Sequence, residues 1–359
     1  MTSVQRPAEA ASYKFSDILA DPAIHARWNK VRKYFFLRES TYDMTNRCNI
    51  RCEGCYYFNG EKHLTVEERD PSAWKHLMEA EKERGITFVV LAGAEPSLVP
   101  ELCRQCFKTI PMGAIATNGL HAIPRDIDYR IHVSVWGNDA TSLTVRKAPK
   151  MLDRQMELYR DDPRAIFIYT FTPYNIDDAA EVTHILAENG QRISFNMFSA
   201  PVGYSGELRH SAESLQRTAE MMARLLAQYP QTVLYSPYNI EVHTNRLGLH
   251  ALFSCPYPRR NPSSAIGLGR SFKQYRTDLS WDRDAACCVP DTDCEDCRHY
   301  AAGSAVVTAR MYRHADHPRS FAAWLDYVDT YLAVWVRDYE KSENLCPLLS
   351  FEEQKTLAA

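Results

Sequence analysis

Three cysteines lie close together near the start of the sequence, in the segment TNRCNIRCEGCYYF. Cys48, Cys52 and Cys55 have the spacing C-x3-C-x2-C. Three thiolates on a short loop can hold three irons of a cubane cluster, whereas a structural zinc site or an ordinary four-iron electron carrier takes four protein ligands. A three-cysteine loop therefore leaves one iron open to bind another molecule. The alternatives are a zinc site with a distant fourth ligand, and three cysteines that share no metal.

Most of the other cysteines lie in the last third of the chain. The segment 236–303 is rich in Pro, Arg, Ser, Asp and Cys and has no sustained periodicity; its cysteines are Cys255, Cys287, Cys288, Cys294 and Cys297. A loop-rich segment of this length is normally functional or disordered, and cytosolic proteins rarely contain disulfide scaffolds. We therefore interpret these thiols first as metal or cluster ligands.

Cys103 and Cys106 form a different kind of pair. They lie in ELCRQCFKTI, which has helical periodicity, so that the two thiols share one face of the helix. Buried cysteine behaves as a small apolar residue, and core packing is the preferred interpretation. A redox pair is the alternative.

The composition narrows the class of protein. The chain has 359 residues, 45% hydrophobic and 24% charged, with 42 Lys plus Arg against 45 Asp plus Glu. A formal charge of −3 gives no basic excess for nucleic acid or an anionic membrane. The sequence has no run of 18 apolar residues, and charges interrupt its N-terminal stretch. We expect a cytoplasmic protein that binds neither nucleic acid nor membrane.

The pattern of elements indicates how these cysteines are positioned. Short apolar runs alternate with helical stretches, which predicts repeated βα units around a parallel sheet. The predicted strands are 41–45, 87–91, 114–117, 131–135, 165–171 and 192–198, and the predicted helices are 71–84, 101–109, 149–159, 177–189, 211–228 and 321–339. We divide the chain into an N-terminal helical segment (1–37), a βα core (38–235) and a cysteine-rich extension with a C-terminal helix (236–359).

Four motifs follow successive strands in a fixed order. They are the C-x3-C-x2-C loop, AGAEP (92–96), ATNG (116–119) and HVSVWG (132–137). Together they resemble the radical S-adenosylmethionine (SAM) superfamily. The resemblance implies a partial (βα)6 TIM-like barrel with a [4Fe-4S] cluster held by Cys48, Cys52 and Cys55. In that superfamily, SAM chelates the open iron and is reductively cleaved to methionine and a 5′-deoxyadenosyl radical, which abstracts hydrogen from a substrate.

The resemblance also implies cofactor-binding residues. The Gly-Gly-Glu-Pro motif of the superfamily matches Gly93-Ala94-Glu95-Pro96, with Ala94 as a departure. Gly93 would let the backbone approach the methionine part of SAM, and Glu95 would accept from its ammonium group. A carboxylate followed by proline at this point has little packing reason to exist, which favours a functional role for Glu95.

Three further residues match weaker features of the superfamily, and one position departs from its pattern. Gly54 replaces a residue that is often aromatic and packs on adenine, so Tyr57 or Phe58 is expected to take over that contact. Asn118 and Ser134 are candidates for the ribose and carboxylate, and Arg146 for the carboxylate. The alternatives are a turn for Asn118, a core hydroxyl for Ser134 and a solvated charge for Arg146.

The C-terminal cysteines resemble the cysteine-rich extensions of several radical SAM subfamilies, which carry an auxiliary four-iron cluster. The resemblance suggests Cys255, Cys288, Cys294 and Cys297 as ligands, with Cys287 as the alternate. A structural zinc and uncoordinated thiols stay open as alternatives.

The sequence thus predicts a radical SAM enzyme that acts on a small molecule in bacterial specialised metabolism, reduced by a flavodoxin or ferredoxin. One alternative is a maturase of a ribosomally made peptide, which the short segment before the first strand disfavours; another is a non-catalytic iron-sulfur or zinc regulator. No residue is assigned a catalytic role. Candidates for lining the substrate pocket, without assigned roles, are Tyr204, Tyr257, Arg259, Arg260 and His299.

Overall fold

The computed structural model describes residues 13–60, 62–249, 255–257, 259, 272–282, 286–288, 292–337 and 339. Its centre is a seven-stranded parallel sheet in the order β6-β5-β4-β3-β2-β1-β7. The strands are β1 (Glu39–Asp43), β2 (Phe88–Ala92), β3 (Gly113–Thr117), β4 (Arg130–Val135), β5 (Ala165–Phe171), β6 (Ile193–Met197) and β7 (Gln274–Tyr275). This is the α/β partial barrel that the sequence predicts, with one short strand added by the extension.

Helices connect the strands and extend beyond them. Those before and within the barrel are α1 (Phe15–Ile18), α2 (Pro22–Val31), α3 (Tyr56–Asn59), α4 (Pro71–Glu83), α5 (Pro100–Thr109), α6 (Asp139–Arg146), α7 (Met151–Tyr159), α8 (Asp178–Glu188) and α9 (Ala212–Gln228). The later ones are α10 (Pro237–Thr244), α11 (Tyr300–Thr308) and α12 (Pro318–Trp335). All six predicted strands are present, each bound within two residues of its predicted position.

Alternate residues of each strand face the two sides of the sheet. On β1, Glu39, Thr41 and Asp43 line a cavity inside the barrel. Between them, Tyr42 points outward, where its hydroxyl donates to Glu81 of α4 at 3.0 Å. The strands thus bury an outer face under helices and present a mixed polar and apolar inner face.

The C-terminal helices pack inside the barrel, away from the carboxyl ends of the strands. Phe88 and Ile168 on the inner face of the sheet belong to one hydrophobic cluster with Trp324 of α12. On β4, Arg130 donates to the Ala333 carbonyl at 3.1 Å, and the His132 imidazole lies 2.9 Å from the carbonyl of the next residue. The barrel and the end of the chain therefore share one core.

Strand β7 attaches the extension to the edge of the barrel. Tyr275 of β7 stacks on Tyr42 of β1, with ring centroids 5.2 Å apart. Both hydroxyls donate to the buried Glu81 carboxylate, which also pairs with Arg84 at 2.6 Å. Burial opposes the charge of Glu81, but these donors outweigh it and lower the pKa of Glu81.

None of the helices in the described part of the chain combines the length and apolar character needed to cross a bilayer.

Candidate functional site

A cavity of about 1150 Å³, which we call the front cavity, opens at the carboxyl ends of the strands. Every residue predicted for the first cluster and its cofactor lines it: Cys48, Cys52, Cys55, Tyr57, Phe58, Gly93, Ala94, Glu95, Asn118, Ser134 and Arg146. These residues come from four strands' carboxyl ends and from the loops and helices that follow them. The sheet therefore brings together motifs that are far apart in the sequence.

The cysteine loop is held against the strand ends by two N–H donors. The Nε of Arg146 lies 3.5 Å from Cys52 Sγ, and the Nδ2 of Asn118 lies 3.7 Å from Cys48 Sγ. Hydrogen bonds to ligand sulfurs are among the interactions that tune iron-sulfur clusters. Three thiols around one cavity, two of them with such donors, are a donor set that fits a three-cysteine cluster.

The thiols are partly withdrawn from solvent. Burial raises the pKa of Cys48 and of Cys55 above the usual thiol value. Metal binding at these cysteines must therefore displace protons. Within the described residues, no three His, Cys, Asp or Glu side chains lie close enough together to hold a single metal ion.

Glu95 has a larger structural role than the sequence suggests. Its side chain is 1% exposed and accepts from the Ser97 amide at 3.0 Å and the Thr117 hydroxyl at 2.7 Å. It also accepts from the Asn118 amide at 2.7 Å. The expectation that this carboxylate has little packing reason to exist is wrong: it ties the β2 loop to the end of β3 while lining the front cavity.

Gly93 is required by the packing of two neighbouring loops, and its predicted approach to SAM stays a prediction. It has φ +80°, and a Cβ there would lie 2.6 Å from the Cα of Asp43 and 2.7 Å from the Met44 amide. The neighbouring backbone pairs Met44 N with the Ala92 carbonyl at 3.0 Å and Ala94 N with the Thr45 carbonyl at 2.9 Å. The absent side chain therefore lets the loops after β1 and β2 approach each other.

Asn118 makes a turn and also lines the front cavity. Its Oδ1 accepts from the Leu120 amide at 3.0 Å, as in a turn, and its Nδ2 donates to Asn49 Oδ1 at 2.6 Å. Arg146 is 4% exposed and donates to the Ser134 carbonyl at 2.5 Å, so it is not a solvated charge. Ser134 keeps a place on the cavity wall.

Phe198 occupies the space beside Gly54. A Cβ at Gly54 would lie 2.6 Å from the Phe198 ring, and Phe198 packs edge to face with Trp136 at 5.8 Å. Both rings line the front cavity, as do Tyr57, which donates its hydroxyl to Asn46 at 2.6 Å, and Phe58, which packs under Arg51. Nothing in the sequence pattern links Phe198 to Gly54, which are 144 residues apart.

Two polar residues of the cavity wall were also missed. Asn196 of β6 donates to the Thr170 hydroxyl of β5 at 3.2 Å and accepts from the Tyr300 amide at 2.9 Å. Both face the front cavity. Extending the two-residue alternation to the ends of β5 and β6 would have identified them.

The C-terminal cysteines surround a separate cavity of about 460 Å³. Cys255, Cys287, Cys294 and Cys297 line it, so the alternate ligand Cys287 takes the place expected for Cys288. Cys288 instead lines a chamber inside the barrel, although it stays within electrostatic range of Cys255 and Cys297. Burial raises the pKa of Cys288 and of Cys297.

The remaining candidates have varied surroundings. Tyr204 donates to Glu53 at 3.0 Å, Tyr257 donates to Glu39 at 2.8 Å, and His299 lines the front cavity. Arg259 lines the C-terminal cysteine cavity, and Arg260 lies outside the described residues. Cys103 and Cys106 are fully buried in α5, as core packing requires.

Comparisons with known proteins agree with this geometry. No family model matches the chain. The chain is 35% identical over 92 residues, 25% of its length, to an S-adenosylmethionine-dependent nucleotide dehydratase of Thermoplasmatales archaeon (strain ISO4-H5). The match spans 31% of that relative, so about a third of its length is covered.

Solved structures share the fold at low identity. SuiB of Streptococcus suis bound to its precursor peptide SuiA has a TM-score of 0.50 and 14% identity, over 76% of this chain and 65% of SuiB, just under two thirds of its length. A structure of anSMEcpe with bound AdoMet has a TM-score of 0.50 and 12% identity, over 79% of this chain and 83% of that one. The four ordered motifs gathered around one cavity resemble those of the radical SAM superfamily, and these solved structures share the fold of this chain.

Proposed function

We propose that the protein is a radical SAM enzyme whose front cavity holds a [4Fe-4S] cluster and SAM. The observation that carries this proposal is the convergence of Cys48, Cys52 and Cys55 with Glu95 and Arg146 on one cavity at the strand ends. When bound, the cluster and SAM would supply a 5′-deoxyadenosyl radical that abstracts hydrogen from, or adds to, the substrate. The nucleotide dehydratase and anSMEcpe comparisons support SAM as the cofactor.

The residues around the cavity would divide the binding of SAM between them. Glu95, already held by three donors, offers its remaining lone pairs to the ammonium group. Arg146 places its guanidinium between Cys52 and the end of β4, where it would pair with the carboxylate. Trp136 and Phe198 form an apolar wall suited to the adenine ring. Asn118 and Ser134 would contact the ribose or the carboxylate.

The test is anaerobic formation of 5′-deoxyadenosine. The full chain is reconstituted with iron and sulfide, reduced, and given SAM, with a Cys48→Ala/Cys52→Ala/Cys55→Ala variant as control. We expect 5′-deoxyadenosine and methionine from the native chain only. A fully loaded cluster that yields no SAM cleavage product would overturn the proposal and favour a non-catalytic iron-sulfur protein.

We propose a small molecule as the substrate. The curated relative acts on a nucleotide by its name, and SuiB was crystallised with a precursor peptide, so each is an alternative to be tested as a substrate. A flavodoxin or ferredoxin is the proposed electron donor. A cytoplasmic location agrees with the reducing conditions that such a cluster needs.

We further propose an auxiliary cluster in the C-terminal cysteine cavity, held by Cys255, Cys287, Cys294 and Cys297. This ligand set is favoured over the one expected from the sequence, which has Cys288 in place of Cys287, because these four residues line the same cavity. Iron analysis of the triple-alanine variant tests it. About four irons per chain remaining would support a second four-iron cluster, bound zinc would favour the alternative metal, and no metal would contradict the proposal.

A further inference from the structure

Three cavities lie in series along the inside of the barrel. An inner chamber of about 550 Å³ shares Tyr56, Ala92, Ala116, His299 and Tyr300 with the front cavity. A lower chamber of about 1090 Å³ shares Glu39 and Trp335 with the inner chamber. Neighbouring cavities share wall residues, so the three lie one behind another between the amino ends of β1 and β2 and the cysteine loop, and we call this series the path.

The lower chamber is lined mostly by apolar side chains. They are Phe35, Leu37, Phe88, Val328, Leu332 and Trp335. Phe35 is 50% exposed, so this chamber meets solvent near the segment before β1. A pocket of several hundred Å³ with such walls is of the kind that binds small apolar molecules. The lower chamber would hold the apolar group of a bound molecule at a distance from the cysteine loop.

Glu39 lies at the junction between the lower and inner chambers. It keeps accessible surface although it lies deep in the barrel, because that surface faces the chambers. Tyr257 donates to its Oε1 at 2.8 Å, the one hydrogen bond of this side chain within the described residues. The carboxylate therefore has acceptor capacity left for a hydroxyl or ammonium group in the path.

The charges along the path disfavour a polyanion. Three carboxyl groups contribute to its walls: Glu39 and Asp43 in the inner chamber, where Lys62 pairs with Asp43 at 3.3 Å, and Glu95 in the front cavity. Among the described wall residues, Arg146 is the one Lys or Arg, and it lies in the front cavity, where we have assigned it to the carboxylate of SAM. Proteins commonly recognise phosphate groups with Arg and Lys side chains. No described Lys or Arg lines the inner or the lower chamber.

We infer that the substrate is an uncharged or cationic amphipathic small molecule, and not a nucleotide, which lies along this path with its apolar part in the lower chamber and a hydroxyl or ammonium group on Glu39. This inference rests on the proposed function for the reaction at the front cavity. It differs from the nucleotide in the name of the curated relative. The rest of the molecule would extend through the inner chamber past Tyr300 toward the cysteine loop.

Three probes with the same tail and different head groups test the inference. Binding of decylamine, decan-1-ol and decanoate, and of cytidine triphosphate, is measured by calorimetry on the reconstituted full chain without reductant. We expect the amine and the alcohol to bind about tenfold or more tighter than decanoate. Cytidine triphosphate is expected not to bind. Glu39→Gln should remove the preference for the amine over decanoate.

Filling the lower chamber with a larger side chain should weaken binding of the probes' alkyl tail. Thr308→Trp places an indole at the chamber wall, and Ala309→Trp places the same group on the next residue, which is not part of that wall. We expect all three tailed probes to bind about tenfold more weakly to Thr308→Trp and unchanged to Ala309→Trp. Equal binding to both variants would contradict the inference, as would binding of cytidine triphosphate that displaces decan-1-ol.

A second measurement does not depend on how Thr308→Trp folds. Trp335 lines both the inner and the lower chambers. A brominated tail, 10-bromodecan-1-ol, is expected to quench tryptophan fluorescence in the native chain and much less in Trp335→Phe. Unchanged quenching would contradict the inference. Because these experiments involve no SAM cleavage, failure of tail binding and failure of 5′-deoxyadenosine formation are separate results.

Discussion

The two cysteine sites are built in different ways. Cys48, Cys52 and Cys55 come from eight consecutive residues, and donors from neighbouring loops hold their sulfurs at the open end of the sheet. The C-terminal site collects Cys255, Cys287, Cys294 and Cys297 from three separate segments around a smaller cavity. Its other walls include Leu249, Ala302 and Val306, which are apolar.

This difference indicates different roles for the front cavity and the C-terminal cavity. The front cavity has carboxylate, amide, hydroxyl and guanidinium groups on its wall, so it can orient a polar cofactor next to the thiols. The C-terminal cavity has few such groups beside its cysteines. We therefore expect SAM chemistry at the first site, and folding or electron transfer at the second.

The largest expected effect separates the two sites completely. Cys48→Ala/Cys52→Ala/Cys55→Ala should abolish 5′-deoxyadenosine formation, since no thiolate is left to hold the first cluster. It should leave the iron of the C-terminal site in place. Product analysis and an iron assay on one preparation check both parts. Loss of all iron would contradict the second cluster.

A pair of neighbouring cysteines sharpens the second site. Cys287→Ala should remove about four irons per chain because Cys287 lines the cavity, whereas Cys288→Ala should keep them because Cys288 lines the inner chamber. The iron content of each variant, measured after the same reconstitution, tests this. The reverse result would restore the ligand set expected from the sequence.

Acid should weaken the attachment of α12 to the rest of the protein. Burial lowers the pKa of His132 to about 3 and that of His243 to about 4, with Arg130 and Arg298 adding to the effect. Unfolded histidines, with a pKa of 6.5, bind protons that the folded ones do not, so the stability they contribute is complete above pH 6.5 and lost as pH falls toward 4.

Each of these histidines should cost about 1.4 kcal/mol of unfolding free energy per pH unit in that window. His132 bonds to the Val334 carbonyl and His243 to Tyr327, so both hold α12. Urea unfolding at pH 7 and pH 5 measures the loss. A His132→Gln/His243→Gln variant should show a shallower dependence; an unchanged slope would rule these residues out as its cause.

The smallest effect tests the donors to the ligand sulfurs. Asn118→Ala removes the N–H near Cys48 and the bond to Asn49, while Glu95 still reaches the backbone amide at this position. We expect about a tenfold fall in SAM cleavage with the iron content unchanged, as for other residues that orient ligands. A fall in iron instead would make Asn118 a requirement for cluster assembly. SAM cleavage at the native rate would mean that Asn118 serves only as a turn residue.

Most of the strands were predictable because they are short apolar or β-branched runs with a break on either side, whereas β1 (ESTYD) is mainly polar. Helix α6 was missed because its segment, DATSLTVR, has few apolar residues, and the Asn138 side chain caps it by accepting from Ala140 and Thr141 amides. Helix α11 was also missed. Its sequence YAAGSAVVT contains Gly and β-branched residues of low helix propensity, and its burial inside the barrel compensates for them.

The candidate site was predictable to the extent that motifs follow strands. The cavity residues from the β1, β2 and β3 loops were identified in this way, whereas Phe198 and Asn196 depend on how distant segments fold together. The choice between Cys287 and Cys288 likewise depends on which side of the chain each faces. The division at residues 37 and 235 stays a prediction, although the core that α12 shares with the sheet crosses it.

The two-residue strand β7 has a consequence for the solubility of a shortened chain. It pairs with Thr41 and Tyr42, so β1 is not the outer strand of the sheet along this stretch. An uncovered strand edge is a template for pairing with another molecule. A chain ended after residue 235 would expose that edge together with the apolar barrel interior. We expect such a fragment to aggregate rather than to fold as an isolated barrel.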